Sequence, residues 1–489
     1  METDDSLTKN ENAPADQQGA KAEKGKSEFL SRIWTAFRRT GTVLATVAAI
    51  GSVVGGLLTY FDVYSRLTSK PGQPAAQPSK SPRILILPLT TDANSDAREL
   101  LFAIGIARDA VSGLSRFPSI EVIGTSTAAA LGSMSGDHVA LKQKYGVTHV
   151  VSGTFHITSD TFRLNIELNE TEGGTAIWTE RFDGPITGVV NVGNDVVRTI
   201  VGRVASAVRQ ADLKRSRAVS AETLSAYHLT LQGRQLWQSP QPDTLPQAQD
   251  LLVKAIAADP TYAPAYAYLA FTYLTSYNNS WSPGYEKRDT LLKMLEQASK
   301  ALELDPDYGT AHTAQAIAYT YLGRHAEASA AAQQALKVNG SDADVLTRVG
   351  QILSFAGEHE QAIRHLNDAV TLDPLGTAQR LNFLSRAYFF KGDYNNAVAN
   401  ARLCLERSKI EPCTETLAAA LALSGKPQES AQAWKEIADR KKDAEPVQIV
   451  SRLRSAFKQQ HDLDKLVSGL VQAKNAATPP AAGISPKPN

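Results

Sequence analysis

The stretch Leu346–Pro374 reads LTRVGQILSFAGEHEQAIRHLNDAVTLDP. Leu346, Val349, Gly350 and Leu353 before Gly357, and Ala362, Leu366 and Ala369 after it, recur at helical spacing, and Pro374 ends the pattern. This is a helix, a tight turn and a second helix. Working outward, glycines recur at Gly323, Gly357, Gly392 and Gly425, separated by 34, 35 and 33 residues. A small residue follows each by five positions, at Ala328, Ala362, Ala397 and Ser430. A period of this length marks a repeat array, because one helical hairpin cannot bury its apolar face alone and stacked neighbours must cover it. The spacing predicts an all-α solenoid over residues 222–443.

The stretch resembles the tetratricopeptide repeat in its succession of large, small and helix-ending positions. Other copies use Tyr266, Leu269, Ala270 and Tyr273 with Met294, Ala298, Ala301 and Pro306, and Gly233, Leu236, Ala248, Leu252, Ala255 and Pro260. Gly340, Lys409 and Lys442 stand where the remaining copies would carry the helix-ending proline, and five to six repeats are expected. The resemblance implies a groove lined by the first helix of each repeat, with Tyr321, Thr347, Gln351, Phe355, Asn382, Arg386 and Phe389 projecting into it. Asn382 and Arg386 are one turn apart and suited to a peptide carboxylate, Arg through its paired donors. A plain solvated helix face is the competing reading. Asn278, Trp281 and Tyr285, in the long connection of the second copy, form a further candidate contact loop.

Composition excludes much else. A net charge of +1 leaves no basic footprint, so no nucleic-acid partner is expected. Two cysteines exclude a disulfide scaffold, and no Cys/His cluster has zinc spacing. Gly132–Gly136 and Gly173-Gly174 lack the context of a phosphate loop. His359-Glu360 is followed by His365 six positions after the first histidine, where a zinc helix needs four. His325, His359 and Tyr394 instead share one repeat position, two after a repeat glycine. No catalytic residue, metal or cofactor is expected. Cys404 and Cys413, nine residues apart, form a disulfide only if their Cα atoms come within about 7 Å.

The N-terminal region reads differently. Residues 1–27 are polar and mixed in charge, the composition of a disordered tail. Residues 28–40 place Phe29, Leu30, Ile33, Trp34 and Phe37 on one helical face beside Arg32, Arg38 and Arg39, as in a helix lying at lipid headgroups. From Gly41 to Phe61 there is no charge, and residues 41–63 are long enough for one transmembrane helix. A cleaved signal peptide is the alternative; the length of the segment and its distance from Met1 favour an uncleaved anchor. Basic residues are denser before the span than after it, which orients the N-terminus to the cytoplasm. Gly51 and Gly55 form a G-x-x-x-G pair through which two spans, and so a homodimer, can pack. Residues 64–82 are a linker.

Residues 83–212 predict an α/β domain in the order βαβαβββα. Ile84–Leu89 is a buried strand, Ala97–Leu114 a helix and Ile120–Gly124 a strand; Ala128–Lys144 is largely helical, and Leu164, Ile166 and Leu168 alternate with polar residues in a hairpin. The runs RILILPL (83–89), GVTHVVSGT (146–154) and GTAIWTERFD (174–183) resemble the TolB amino-terminal, or FlgO-like, domain. In a bacterial family that domain precedes tetratricopeptide repeats beyond one membrane span, behind an adenylate cyclase or winged-helix module. About forty residues precede the span here, so that module is expected to be missing. Residues 444–474 are expected to cap the last repeat and 475–489 to be disordered.

The expectation is a multidomain, non-enzymatic, single-span inner-membrane protein of a Gram-negative bacterium. Its periplasmic repeats would bind proteins or peptides, and residues 28–63 the bilayer. The alternative is a receptor whose α/β domain senses a periplasmic ligand and signals through a separate cytoplasmic partner.

Overall fold

The structure, a computed structural model, describes residues 82–92, 95–117, 120–132, 136–204, 220–238, 241–279, 287–441 and 445–478. The expected tail, juxtamembrane helix and span, most of the linker, and Gly51 and Gly55 lie outside the described residues, as do the final residues 479–489. Among the described residues no helix is long and apolar enough to cross a membrane.

The first part is a mixed α/β layer. Its elements are β1 (Arg83–Ile86), α1 (Ala97–Leu114), β2 (Glu121–Val122), α2 (Thr125–Ala130), α3 (His138–Tyr145), β3 (His149–Ile157), β4 (Thr161–Glu170), β5 (Ala176–Pro185) and α4 (Val189–Val204). The sheet order is β2-β1-β3-β4-β5. β1 runs parallel to β2 and β3, while β3, β4 and β5 form an antiparallel meander. Leu164, Ile166 and Leu168 of β4 are buried with Phe102 and Ile106 of α1 and Val196 and Ile200 of α4. The short apolar strand β1 is covered on both faces: Ile84 and Ile86 join that core, while Leu85, with Leu87 just past the strand, packs with Ala128, Leu131 and Leu141. The order is therefore βαβααβββα, and the single helix expected over 128–144 is two. Asp137 explains the restart, since its carboxylate caps α3 by accepting from the Ala140 N–H at 2.9 Å.

An all-α solenoid follows. Six hairpins pair α5 (Ala221–Gln238) with α6 (Thr244–Ala258), α7 (Ala263–Asn279) with α8 (Lys287–Leu304), and α9 (Gly309–Tyr321) with α10 (His325–Asn339). They continue as α11 (Ala343–Phe355) with α12 (His359–Leu372), α13 (Ala378–Lys391) with α14 (Tyr394–Arg407), and α15 (Glu411–Leu423) with α16 (Pro427–Arg440). The repeat glycines have a mechanical reason: Gly323, Gly357, Gly392 and Gly425 all have φ between 75° and 91°, the left-handed conformation that ends the first helix of each hairpin. Close approach explains the small residues. A Cβ on Gly350 would stand 2.5 Å from Leu366 Cγ, and Ala362, Ala397 and Ser430 are fully buried. His325, His359 and Tyr394 each begin a second helix, as their shared position implied. The chain ends in α17 (Pro446–Val450), a 3-10 turn and α18 (Gln460–Ala477).

Cys404 and Cys413 are joined in a disulfide, with Cα atoms 6.3 Å apart. The bridge ties the end of α14 to the start of α15 and so links two successive repeats. It closes a nine-residue separation, for which chain entropy gives about 2–3 kcal/mol. Cys404→Ser with Cys413→Ser is expected to lower the urea midpoint accordingly, whereas adding reductant to the double variant changes nothing. Equal midpoints for variant and oxidised protein would show that the bridge contributes no stability.

Candidate functional site

The seven residues expected to line an open groove are buried, at 0–6% exposure. Tyr321 packs edge-on between Tyr277 and Phe355, at 5.4 and 5.9 Å between ring centres. Phe389 meets Phe390 and Tyr394. Thr347 donates its hydroxyl to Ala343 O and accepts from Arg380 Nε at 2.8 Å, and Gln351 accepts from Arg348. Asn382 and Arg386 lie inside α13, at 1% and 5% exposure, out of reach of a peptide. Helical spacing places these residues on one side of each helix, but that side meets neighbouring helices. Within α11 only Asp344 is exposed and only Arg348 half-buried. Asn278 is exposed at the end of α7; Trp281 and Tyr285 lie outside the described residues.

Two further contacts close the solenoid's edges. On one side the C-terminal segment runs across three successive repeats. Ser455 Oγ donates to Tyr321 O, the Lys458 N–H to Phe355 O and Lys465 Nζ to Phe390 O, at 2.7, 3.0 and 3.0 Å. Each carbonyl belongs to the end of a first helix, where no intrahelical donor remains. Asp462, fully buried, faces His359 Nε2 at 3.1 Å. The segment thus caps more than the last repeat expected from sequence, and α18 then lies on that repeat, packed closely enough that a Cβ on Gly469 would meet Ala419.

On the other side the α/β layer is docked through β1, the start of α2 and α1. Gly124 N donates to Leu372 O at 2.8 Å, and Arg83 Nη2 to Thr371 O at 2.5 Å. Asp373 accepts from both the N–H and the hydroxyl of Thr127, at 2.8 and 2.6 Å, and pairs with Arg380 at 3.0 Å. Asn339 Nδ2 donates to Ser112 O.

Where α1 meets helices of the solenoid, polar and aromatic side chains gather in a cluster. Arg108 and Asp109 come from α1, Arg234 and Trp237 from α5, Tyr268 and Phe271 from α7, and Arg348 from α11. The three arginines and Asp109 are half-buried. The Arg234 guanidinium lies 4.5 Å over the Tyr268 ring and that of Arg348 5.4 Å over Phe271. Trp237 joins the two rings, 6.2 Å from Tyr268 and 5.5 Å from Phe271. The Tyr227 hydroxyl donates to Asp109 at 3.1 Å. Burial pushes the Asp109 carboxyl up to about 6, against the opposing pull of Arg234, Tyr227 and Arg108. Burial, then the like charge of Arg234, lowers Arg108 to about 10. Sequence reasoning missed this cluster because its residues come from four helices and two layers.

Comparison with known proteins identifies tetratricopeptide repeats at residues 343–374 and 378–410. Over 256 residues the chain is 27% identical to a putative adenylate cyclase 3 of Rhizobium meliloti, covering 52% of this chain and 43% of that protein. It is 28% identical over 151 residues to the transcriptional regulator HilA of Salmonella typhimurium, covering 31% and 27%. The chain thus spans less than half the length of these curated relatives. Among solved structures it is similar to TTC0263, a tetratricopeptide protein of Thermus thermophilus, at 21% identity and TM-score 0.33, over 40% of this chain and 98% of that one.

Proposed function

We propose that the chain is a non-enzymatic interaction protein whose tetratricopeptide repeats bind other proteins or peptides, and that its uncharged segment Gly41–Phe61 anchors it to an inner membrane. The stacked hairpins, with a recognised repeat pair over 343–410, carry the reading. In it the α/β layer is a TolB amino-terminal-like domain, placed with the repeats in the periplasm, and Gly51 and Gly55 allow a dimer. Cross-linking the full chain in native membranes is expected to trap a defined protein partner, and reporter fusions after residue 64 are expected to report from outside the cytoplasm. A cytosolic C-terminal half, no trapped partner, or cyclic-nucleotide synthesis by the purified chain would each overturn it.

A second reading is a receptor. Two observations favour it: part of the chain is similar to part of a putative cyclase and part of it to part of a transcriptional regulator, and the α/β layer is locked to a repeat through buried Asp373. In this reading a ligand on the α/β layer alters the repeats, and a separate partner carries the signal inward.

A further inference from the structure

The sheet of the α/β layer ends in two unlike edges. β2 is two residues long and offers little backbone to pair with, whereas β5 runs ten residues, from Ala176 to Pro185. Among the described residues β4 is the one strand bonded to β5, so its other edge is open. Ile186 N donates to Asp160 O at 2.8 Å, just beyond the opposed pair Thr161 and Pro185. Because hydrogen-bonded pairs alternate along an antiparallel ladder, Glu180, Phe182 and Gly184 turn their backbone groups toward β4. Thr179, Arg181 and Asp183 turn theirs to the open edge. Pro185, with no N–H to donate, closes this row at one end, and the register shift opposite Leu168 and Asn169 closes it at the other. A row of this length is a template for another strand.

The side chains of β5 select which strand. Arg181 and Asp183 are exposed and stand opposite Asn165 and Arg163, on the face turned away from Leu164 and Leu168. Asp183 pairs with Arg163 at 3.0 Å and with Arg181. Phe182 is on the other face, opposite Leu164 and half-buried against the core. Opposed residues of an antiparallel pair share a face, so a two-fold axis relating two copies of β5 must pass through a residue. An axis through Glu180, Arg181 or Asp183 sets that residue against its own like charge, which is destabilising. An axis through Phe182 sets Arg181 of each copy against Asp183 of the other and leaves Glu180 opposite Gly184. In that register Arg181 and Asp183 exchange both backbone bonds, the Thr179 N–H meets the Pro185 carbonyl of the other copy, and the two Phe182 rings continue the core across the seam. We propose that β5 pairs antiparallel with β5 of a second copy of this chain, in the register centred on Phe182. The match is to the strand's own sequence, which favours a second copy over a strand of another protein. The interface goes beyond the interaction reading and uses neither the repeats nor Gly51 and Gly55.

The test co-expresses two differently tagged full chains and recovers them in detergent micelles through one tag. Unaltered copies are expected to co-purify. When both copies carry Arg181→Asp, or both carry Asp183→Arg, the co-purified fraction is expected to fall at least tenfold. One copy with Arg181→Asp and the other with Asp183→Arg are expected to regain it, since each opposed pair again joins unlike charges; this recovery also shows that both variant chains fold. Phe182→Cys, with both charges intact, decides the matter if a charge variant fails to fold. Cys404 and Cys413 are buried and joined to each other, so the introduced thiol is the free one. Under mild oxidant Phe182→Cys is expected to give a covalent dimer, and Glu180→Cys is not, because its two copies lie roughly 13 Å apart along the strands. Co-purification that ignores the charges, no recovery in the mixed pair of folded variants, equal cross-linking at the two positions, or capture of a different protein by Phe182→Cys in native membranes would each overturn the proposal.

Discussion

Asp373→Ala is expected to destabilise the protein by about 3–5 kcal/mol, the cost of stranding a buried charge whose partner has been removed. Asp373 is 3% exposed and Arg380 is 1% exposed. Without the carboxylate, Arg380 keeps its bonds to the carbonyls of Ala369 and Asp373 and to Thr347 Oγ1. The carboxylate still paired with it is Asp344, whose side chain is 78% exposed and therefore well screened, and Asp342, also within electrostatic reach of Arg380, has a carboxyl that burial pushes up to about 6. On the other side of the seam the Thr127 N–H and hydroxyl lose their acceptor. The backbone around residue 373 is otherwise pinned, with Arg407 donating to the carbonyls of Pro374 and Gly376 at 2.8 and 2.7 Å, so it cannot swing another acceptor into place. The expected result in urea is an early transition from the α/β layer followed by one from the repeats, where the parent unfolds in one. Asp373→Asn keeps an oxygen for Thr127 and is expected to recover part of the loss. A midpoint within about 0.5 kcal/mol of the parent, the range of an ordinary surface change, would show that this contact does not hold the layers together.

The contrast between what the sequence disclosed and what it concealed is a contrast between local and distant causes. Gly323, Gly357, Gly392 and Gly425 were legible because each meets a local demand, a left-handed residue at a helix end. Leu164, Ile166 and Leu168 were legible because a strand buried on one face must alternate. Pro374 announced the end of α12, but nothing nearby announced that Asp373 would reach Thr127, a residue 246 positions away. The same limit explains the groove. Periodicity shows that Thr347, Gln351 and Phe355 share a helix side; whether that side meets water depends on Phe457, Lys458 and the adjacent helices. The break between α2 and α3 stood in the sequence as the turn residues Gly132, Ser133, Ser135 and Gly136 ahead of Asp137, whose cap on the Ala140 N–H restarts the helix. The cysteine spacing allowed a bridge without requiring one, and the turn between α14 and α15 brought the pair into range.

Phe457→Ala should release the C-terminal segment from the repeats. The Phe457 ring sits edge-on to Phe355 and Phe390, with centres 5.1 and 5.3 Å away, and it is 8% exposed. Truncating a buried phenylalanine costs about 3–5 kcal/mol through lost transfer energy and the cavity left behind. Here relaxation has a direction. Ser455, Lys458 and Lys465 each hold one first-helix carbonyl, and the chain between Ser455 and Lys458 is drawn from one repeat to the next with Phe457 as its wedge. Once the wedge is gone, Ala456 and Leu463 are the buried apolar residues left between those three bonds. Repeat arrays draw stability from nearest-neighbour interfaces and from a covered end, so loosening should begin at α18 and advance toward α11. Amide exchange is expected to quicken first at Lys458, whose N–H loses its hold on Phe355 O, and in α18, while α5–α8 keep their protection. Uniform acceleration along all six hairpins would mean that the segment stabilises the solenoid globally, and parent-like protection at Lys458 would mean that the ring contacts are not what keeps it in place.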